Sequence, residues 1–110
     1  MKKQKINGTI YIIKQISTGK CYIGQTKNNP YERMKQHFNN NYPDDFHTLL
    51  RSKPEDFSFQ ILRTNISNQS VLDQFECYYI GYYNSIANGF NKSMGGTLNN
   101  LAFNYLPYEK

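Results

Sequence analysis

Two β-rich runs separated by the turn Ser17-Thr18-Gly19-Lys20 constrain this chain more than any other feature. Thr9 to Ile16 (TIYIIKQI) and Cys21 to Gln25 (CYIGQ) are dense in β-branched and aromatic residues, and the segment between them has turn chemistry. The pair reads as a hairpin. With an even-numbered loop, Tyr11 and Tyr22 project from one face, and Ile10, Ile12 and Ile23 from the other. Gly24 leaves bare backbone beside Ile23, where another chain or a ligand can approach closely.

Asn28-Asn29-Pro30-Tyr31-Glu32 then predicts a helix start, with an Asn cap, Pro in the first turn and an early acid. This helix runs to about Phe38, with Tyr31, Met34 and Phe38 on one face. Arg33 and His37 form an i, i+4 pair beside it. Pro43-Asp44-Asp45 opens a shorter helix to Arg51, and Lys53-Pro54-Glu55-Asp56 breaks it. His47 in that helix reads as an ordinary packing residue. Phe57 to Thr64 alternates as a third strand. The last loop, residues 88–96, is rich in Gly and Asn, and no repeat or low-complexity segment appears.

Between them, Ser70 to Asn84 (SVLDQFECYYIGYYN) reads as the strongest helix. At about 100° per residue, Val71, Leu72, Phe75, Tyr79, Tyr82 and Tyr83 form its apolar arc. Glu76 lies inside that arc. An unpaired buried carboxylate costs several kcal/mol, so Glu76 requires a metal or a basic partner.

Composition narrows the class. The 110 residues suit one domain, and no apolar run approaches the roughly 20 residues that span a bilayer. The basic N-terminus MKKQKINGTI lacks the apolar core of a signal peptide, which points to an intracellular address. Cys21 and Cys77 are then buried thiols, and with only His37 and His47 nearby in kind they form no zinc motif. A net charge of +5 and a pI near 9.2 suit a nucleic-acid backbone as partner.

Thr9-Ile10-Tyr11, ten intervening residues and Tyr22-Ile23-Gly24 resemble the paired motif of the GIY-YIG endonuclease family. Arg33 and His37, then Glu76, then Asn91 follow in the family's order. Thr9 stands where the family name has Gly. The run from Glu76 to Gly96 most resembles the phage and intron-encoded homing endonuclease branch. The resemblance implies an α+β fold, a small three-stranded antiparallel sheet flanked by helices in the order β-β-α-(α)-β-α. The domain would span residues 1–110, with a core of about 8–97 and a short tail, 98–110.

Such a domain hydrolyses DNA phosphodiesters inside a bacterial or virus-infected cell. The resemblance implies one divalent ion, Mg²⁺ or Mn²⁺, on Glu76, with no small-molecule cofactor and no membrane. Arg33 would hold the scissile phosphate through its bidentate fork. Tyr11 or Tyr22 would take the proton of the attacking water, with Tyr11 favoured and Tyr22 orienting water or phosphate. Only about 0.1% of an ordinary tyrosine is phenolate at pH 7, a cost of about 4 kcal/mol, so the base needs positive neighbours. Arg33, the ion and His37 are candidates, and His37 could relay the proton. Asn91 would position substrate or brace the Glu76 helix. Lys14, Lys20, Lys27, Lys35 and Lys92 would track the DNA backbone. The alternative is a binding module of the same fold without turnover. Homing relatives usually carry a separate DNA-binding segment, and about fourteen residues after Gly96 are too few for one, so the chain would be free-standing or a piece of a longer protein.

Overall fold

The hairpin forms in the expected register. In the computed structural model, which describes residues 5–93, strand β1 (Gly8–Gln15) pairs antiparallel with β2 (Cys21–Thr26). Tyr11 lies opposite Gly24, Ile13 opposite Tyr22, and Lys14 opposite Cys21. Tyr11 and Tyr22 therefore share a face. A third strand, β3 (Phe57–Ile66), pairs antiparallel with the other side of β1, so the sheet order is β2-β1-β3.

Helices cover both faces of the sheet. Ile10, Ile12, Cys21 and Ile23 pack with Ile66 against Leu72, Phe75 and Ile80 of α3 (Gln69–Tyr82). On the opposite face, Tyr11 and Ile13 pack with Phe46 and Leu50 of α2 (Asp45–Ser52), and with Phe38 of α1 (Pro30–Asn39). Full burial of each large apolar side chain contributes roughly 1.5–3 kcal/mol, so the alternation of the central strand holds both layers.

Local chemistry sets the helix ends. The Asn29 side chain accepts from the amides of Tyr31 and Glu32, with Pro30 in the first turn of α1. Asp44 accepts from the His47 amide at the start of α2, and Asn68 from Ser70 and Val71 at the start of α3. The strongest helix was expected to reach Asn84 but stops at Tyr82. Asn84 turns left-handed at φ 53°, Ser85 N–H donates to the Ile80 carbonyl, and Asn84 N–H donates to that of Gly81. This paired closure is a Schellman motif, and Asn tolerates the required backbone.

Two expectations shift in detail. The buried residues of α3 are Leu72, Asp73, Phe75, Glu76, Cys77 and Ile80, so Glu76 lies at the centre of the buried arc. Tyr82, expected within that arc, is 67% exposed. Thr9 is buried in β1, its hydroxyl 3.3 Å from that of Thr64 on β3. The ladder is irregular on either side of Ile10, and Asn65 of β3 takes φ 61°, as at a bulge. Cys21 and Cys77 are free and buried, as expected. The N-terminal four residues, the end of the 88–96 loop and the tail 98–110 lie outside the described residues. Among the described residues, no helix is long and apolar enough to cross a membrane.

Candidate active site

Gly24 does not leave a vacant patch of backbone. A β-carbon there would stand 2.4 Å from both Cζ and Oη of Tyr11, so the Tyr11 ring occupies the space above Gly24. The ring is 1% exposed. From there Tyr11 Oη reaches His37 Nε2 at 2.7 Å, across from β1 to α1. Tyr22 lies next to it, ring centroids 6.4 Å apart, and stacks on Phe46 at 4.8 Å.

His37 was expected beside the apolar face of its helix. It is instead the one buried residue of α1, at 0% exposure, and both ring nitrogens have partners. Its Nδ1 lies 2.7 Å from His47 Nε2, and His47 Nδ1 lies 2.7 and 2.9 Å from the two Asp44 oxygens. His47 therefore lies between His37 and Asp44, with a short contact to each. The Asp44-x-x-His47 spacing at a helix start was the available sequence signal, because a capping acid meets a side chain three residues on.

Charge and burial act on these groups together. Burial pushes the Tyr11 phenol well above its ordinary range, Tyr22 adds to this, and Arg33 opposes it. Positive neighbours were expected to bring the base down, but burial outweighs them. Tyr22 is also raised, by burial first and then by the charge of Glu76. Burial, Arg33 and His47 together lower His37 to about 3, against an ordinary 6.5, so its imidazole is neutral at pH 7. For Arg33, burial would weaken the charge, but the neighbouring hydroxyls of Tyr42, Tyr11 and Tyr22 strengthen it. Arg33 also donates to Gln36 at 3.1 Å.

Glu76 is 9% exposed, and Gln25 Nε2 donates to it at 2.8 Å. The same Gln25 nitrogen donates to Asp73 at 2.9 Å, and Asp73 is also buried. Glu76 was expected to be the sole acid on the apolar face of α3. Asp73 is a second, made tolerable by amide donors from Gln25 and Gln69. Glu76, Tyr22, Asp44, His47, Asn91 and Lys92 line a cavity of about 420 Å³ together with Phe46 and Phe90.

The cavity leaves room beside Glu76 for a hydrated divalent ion. Among the described residues, no cluster of three or more His, Cys, Asp or Glu could hold a metal. An ion would have to be held largely by water beside a single carboxylate, the manner Mg²⁺ accepts. At roughly 30 Å³ per water, the volume admits such a hydrated ion.

The Asn91 side chain clamps β2, and its backbone N–H donates to the carbonyl of Ser85, which closes α3, at 2.9 Å. The side-chain oxygen accepts from Ile23 N–H at 2.8 Å, and the side-chain amide donates to the Ile23 carbonyl at 2.9 Å. Phe90 N–H donates to the Cys21 carbonyl, so the segment after α3 lies along the open edge of β2. Gly89 permits this approach, because a β-carbon there would meet Cys21 and Ser85 oxygens at 2.5 and 2.6 Å.

Two of the five lysines share a cavity. Lys20 and Lys92 line a second cavity of about 340 Å³ that also includes Asn91. Lys35 pairs with Glu32 at 3.7 Å on the outer surface of α1. Lys14 falls on the α3 face of β1, away from Tyr11, and Lys27 is exposed after β2.

Comparison with known proteins identifies the fold and the family. A structure of a mutant catalytic domain of the intron endonuclease I-TevI matches with a TM-score of 0.72. At 22% identity, covering 83% of this chain and 98% of that one, the likeness shows a shared fold. A search of curated proteins returned no match. The model of the GIY-YIG catalytic domain matches residues 7–91, which take in the hairpin, both flanking helix layers and Asn91. The chain therefore belongs to the GIY-YIG catalytic domain family.

Proposed function

We propose that this chain is a DNA endonuclease that hydrolyses phosphodiester bonds with one divalent ion, Mg²⁺ or Mn²⁺. The observation that carries this reading is the convergence of Tyr11, Tyr22, Arg33 and His37 beside a cavity that also contains Glu76. Family membership and the fold shared with an intron endonuclease support nuclease chemistry on DNA.

Arg33 holds the scissile phosphate, since a guanidinium meets two phosphoryl oxygens at once and keeps its charge when half-buried. Glu76 would hold the ion, which supplies charge stabilisation to the phosphoryl oxygens. Tyr11 takes the proton of the attacking water, because its hydroxyl already has a proton acceptor in His37 at 2.7 Å. Tyr22, on the cavity wall, orients water and phosphate. Asn91 holds the backbone between Tyr22 and Gly24 in register. Lys20 and Lys92 contact the DNA backbone near the cavity.

Supercoiled plasmid with Mg²⁺, against an EDTA control, tests the reading. Nicking that disappears with EDTA, in Glu76→Ala and in Arg33→Ala, is the expected result, with the fold retained by circular dichroism. Full activity of Glu76→Ala in Mg²⁺ would overturn the mechanism. DNA binding by the wild-type chain without nicking would make it a binding module of the same fold.

A further inference from the structure

Tyr11, His37, His47 and Asp44 form an unbroken chain of short contacts, of which family resemblance supplied only the first two members. The separations are 2.7 Å from Tyr11 Oη to His37 Nε2, 2.7 Å from His37 Nδ1 to His47 Nε2, and 2.7 Å from His47 Nδ1 to Asp44. Building on the nuclease reading above, we propose that His47 and Asp44 are positioning residues that make Tyr11 a base, with His47 holding the displaced proton.

Asp44 sets the direction of the chain. As a carboxylate it can only accept, so the proton between it and His47 belongs to His47 Nδ1. Hydrogen bonds from His47 hold Asp44 below the usual carboxylate range although burial opposes them. With only that one proton on its ring, His47 accepts at Nε2, which obliges His37 to donate through Nδ1. His37 Nε2 is left as an acceptor, and the Tyr11 hydroxyl donates to it. One carboxylate thus decides two tautomers and the orientation of a phenol three contacts away.

The proton cannot remain on His37. That ring is fully buried, and Arg33 and His47 face it with positive or potentially positive charge. Of the other titratable groups that act on it, Asp44 alone favours the charged ring, but its carboxylate is in contact with His47, and Tyr11 and Tyr22 are neutral phenols in the resting state. His47 differs, because its side chain is 12% exposed and lies against the Asp44 carboxylate. A cation there has its counter-ion at contact distance.

Two shifts complete the step. The Tyr11 O–H bond breaks and its proton joins His37 Nε2, while the His37 Nδ1–H bond breaks and that proton joins His47 Nε2. The result is a Tyr11 phenolate, a neutral His37 in its other tautomer, and a His47 imidazolium beside Asp44. The phenolate then takes a proton from the attacking water. When the leaving oxygen accepts that proton, both shifts reverse and the resting tautomers return. No external acid, base or oxidant is required.

Two measurements test this. Imidazole ¹⁵N spectra of the DNA-free chain should show protonated Nδ1 and unprotonated Nε2 on both His37 and His47. In Asp44→Asn, which keeps a competent helix cap, the His47 proton should redistribute between its nitrogens. A wild-type His37 protonated on Nε2 would overturn the proposal whatever the activity. Plasmid nicking in Mg²⁺ by Asp44→Asn and His47→Gln should fall about a hundredfold at pH 7 and recover as pH rises. DNA affinity measured in Ca²⁺ should be unchanged. Wild-type rate and pH profile in both variants would also overturn it. Failure of the wild type to cut DNA would defeat the nuclease reading instead, and the tautomers would still decide the relay.

Discussion

Gly24 and Tyr11 face each other across the β1–β2 ladder, and the phenol ring fills the space that any other residue at position 24 would need. The glycine is thus a receptor for the ring that meets His37. Gly24→Ala should displace Tyr11, cost about 1–3 kcal/mol of stability, and suppress nicking beyond what the stability loss explains. Denaturant melts and plasmid assays on the same preparation check this. Wild-type activity in Gly24→Ala would show that the ring position is dispensable.

Asn91 makes two hydrogen bonds to the backbone of one residue, Ile23. Asn91→Ala should lose roughly 1–3 kcal/mol, the range for two such bonds. Asn91→Asp should recover little, because a carboxylate can accept from the Ile23 amide but faces the Ile23 carbonyl with a second lone pair. Urea melts of the three proteins distinguish these cases, and equal stability of wild type and Asn91→Asp would refute the two-bond account.

Gln25 gives one nitrogen to both Asp73 and Glu76. Replacing it by Leu removes a shared donor between two buried acids, and should destabilise the fold by about 1–3 kcal/mol. With its carboxylate less fixed, Glu76 should also need a different Mg²⁺ concentration for half-maximal nicking. An unchanged Mg²⁺ titration would show that Gln25 does not orient Glu76.

Acid should weaken the fold through His37. The unfolded ring takes up a proton near pH 6.5, whereas the folded one resists it down to about 3. Between these values the unfolded state binds more protons, so stability falls as pH is lowered and is fully present above 6.5. The slope from this residue is at most about 1.4 kcal/mol per pH unit. Urea melts between pH 7 and about 4.5, above the ordinary carboxylate range, should show that slope and lose it in His37→Gln. An equal slope in both proteins would remove His37 as the cause.

The hairpin, its faces and most helix caps were legible because they depend on local rules: period-two alternation and oxygen side chains beside free amides. The orientation of α3 was legible only in part. Tyr82 counts as apolar in a helical arc, yet its hydroxyl lets the ring sit in water, while Asp73 counts as polar and is buried beneath two glutamines. The contacts of His47 were hidden for a different reason. They arise where α1 brings His37 against α2, a contact between residues ten apart that no periodicity encodes. The Asn91 brace was equally hidden, since its partner lies sixty-eight residues away on β2.

The Asn91 clamp has a mechanical meaning. Tension applied to the chain just beyond Ser93 would be delivered through two hydrogen bonds to Ile23, and from there to its immediate neighbours Tyr22 and Gly24. The two positions that wall the cavity and seat the Tyr11 ring therefore sit one peptide from a tether.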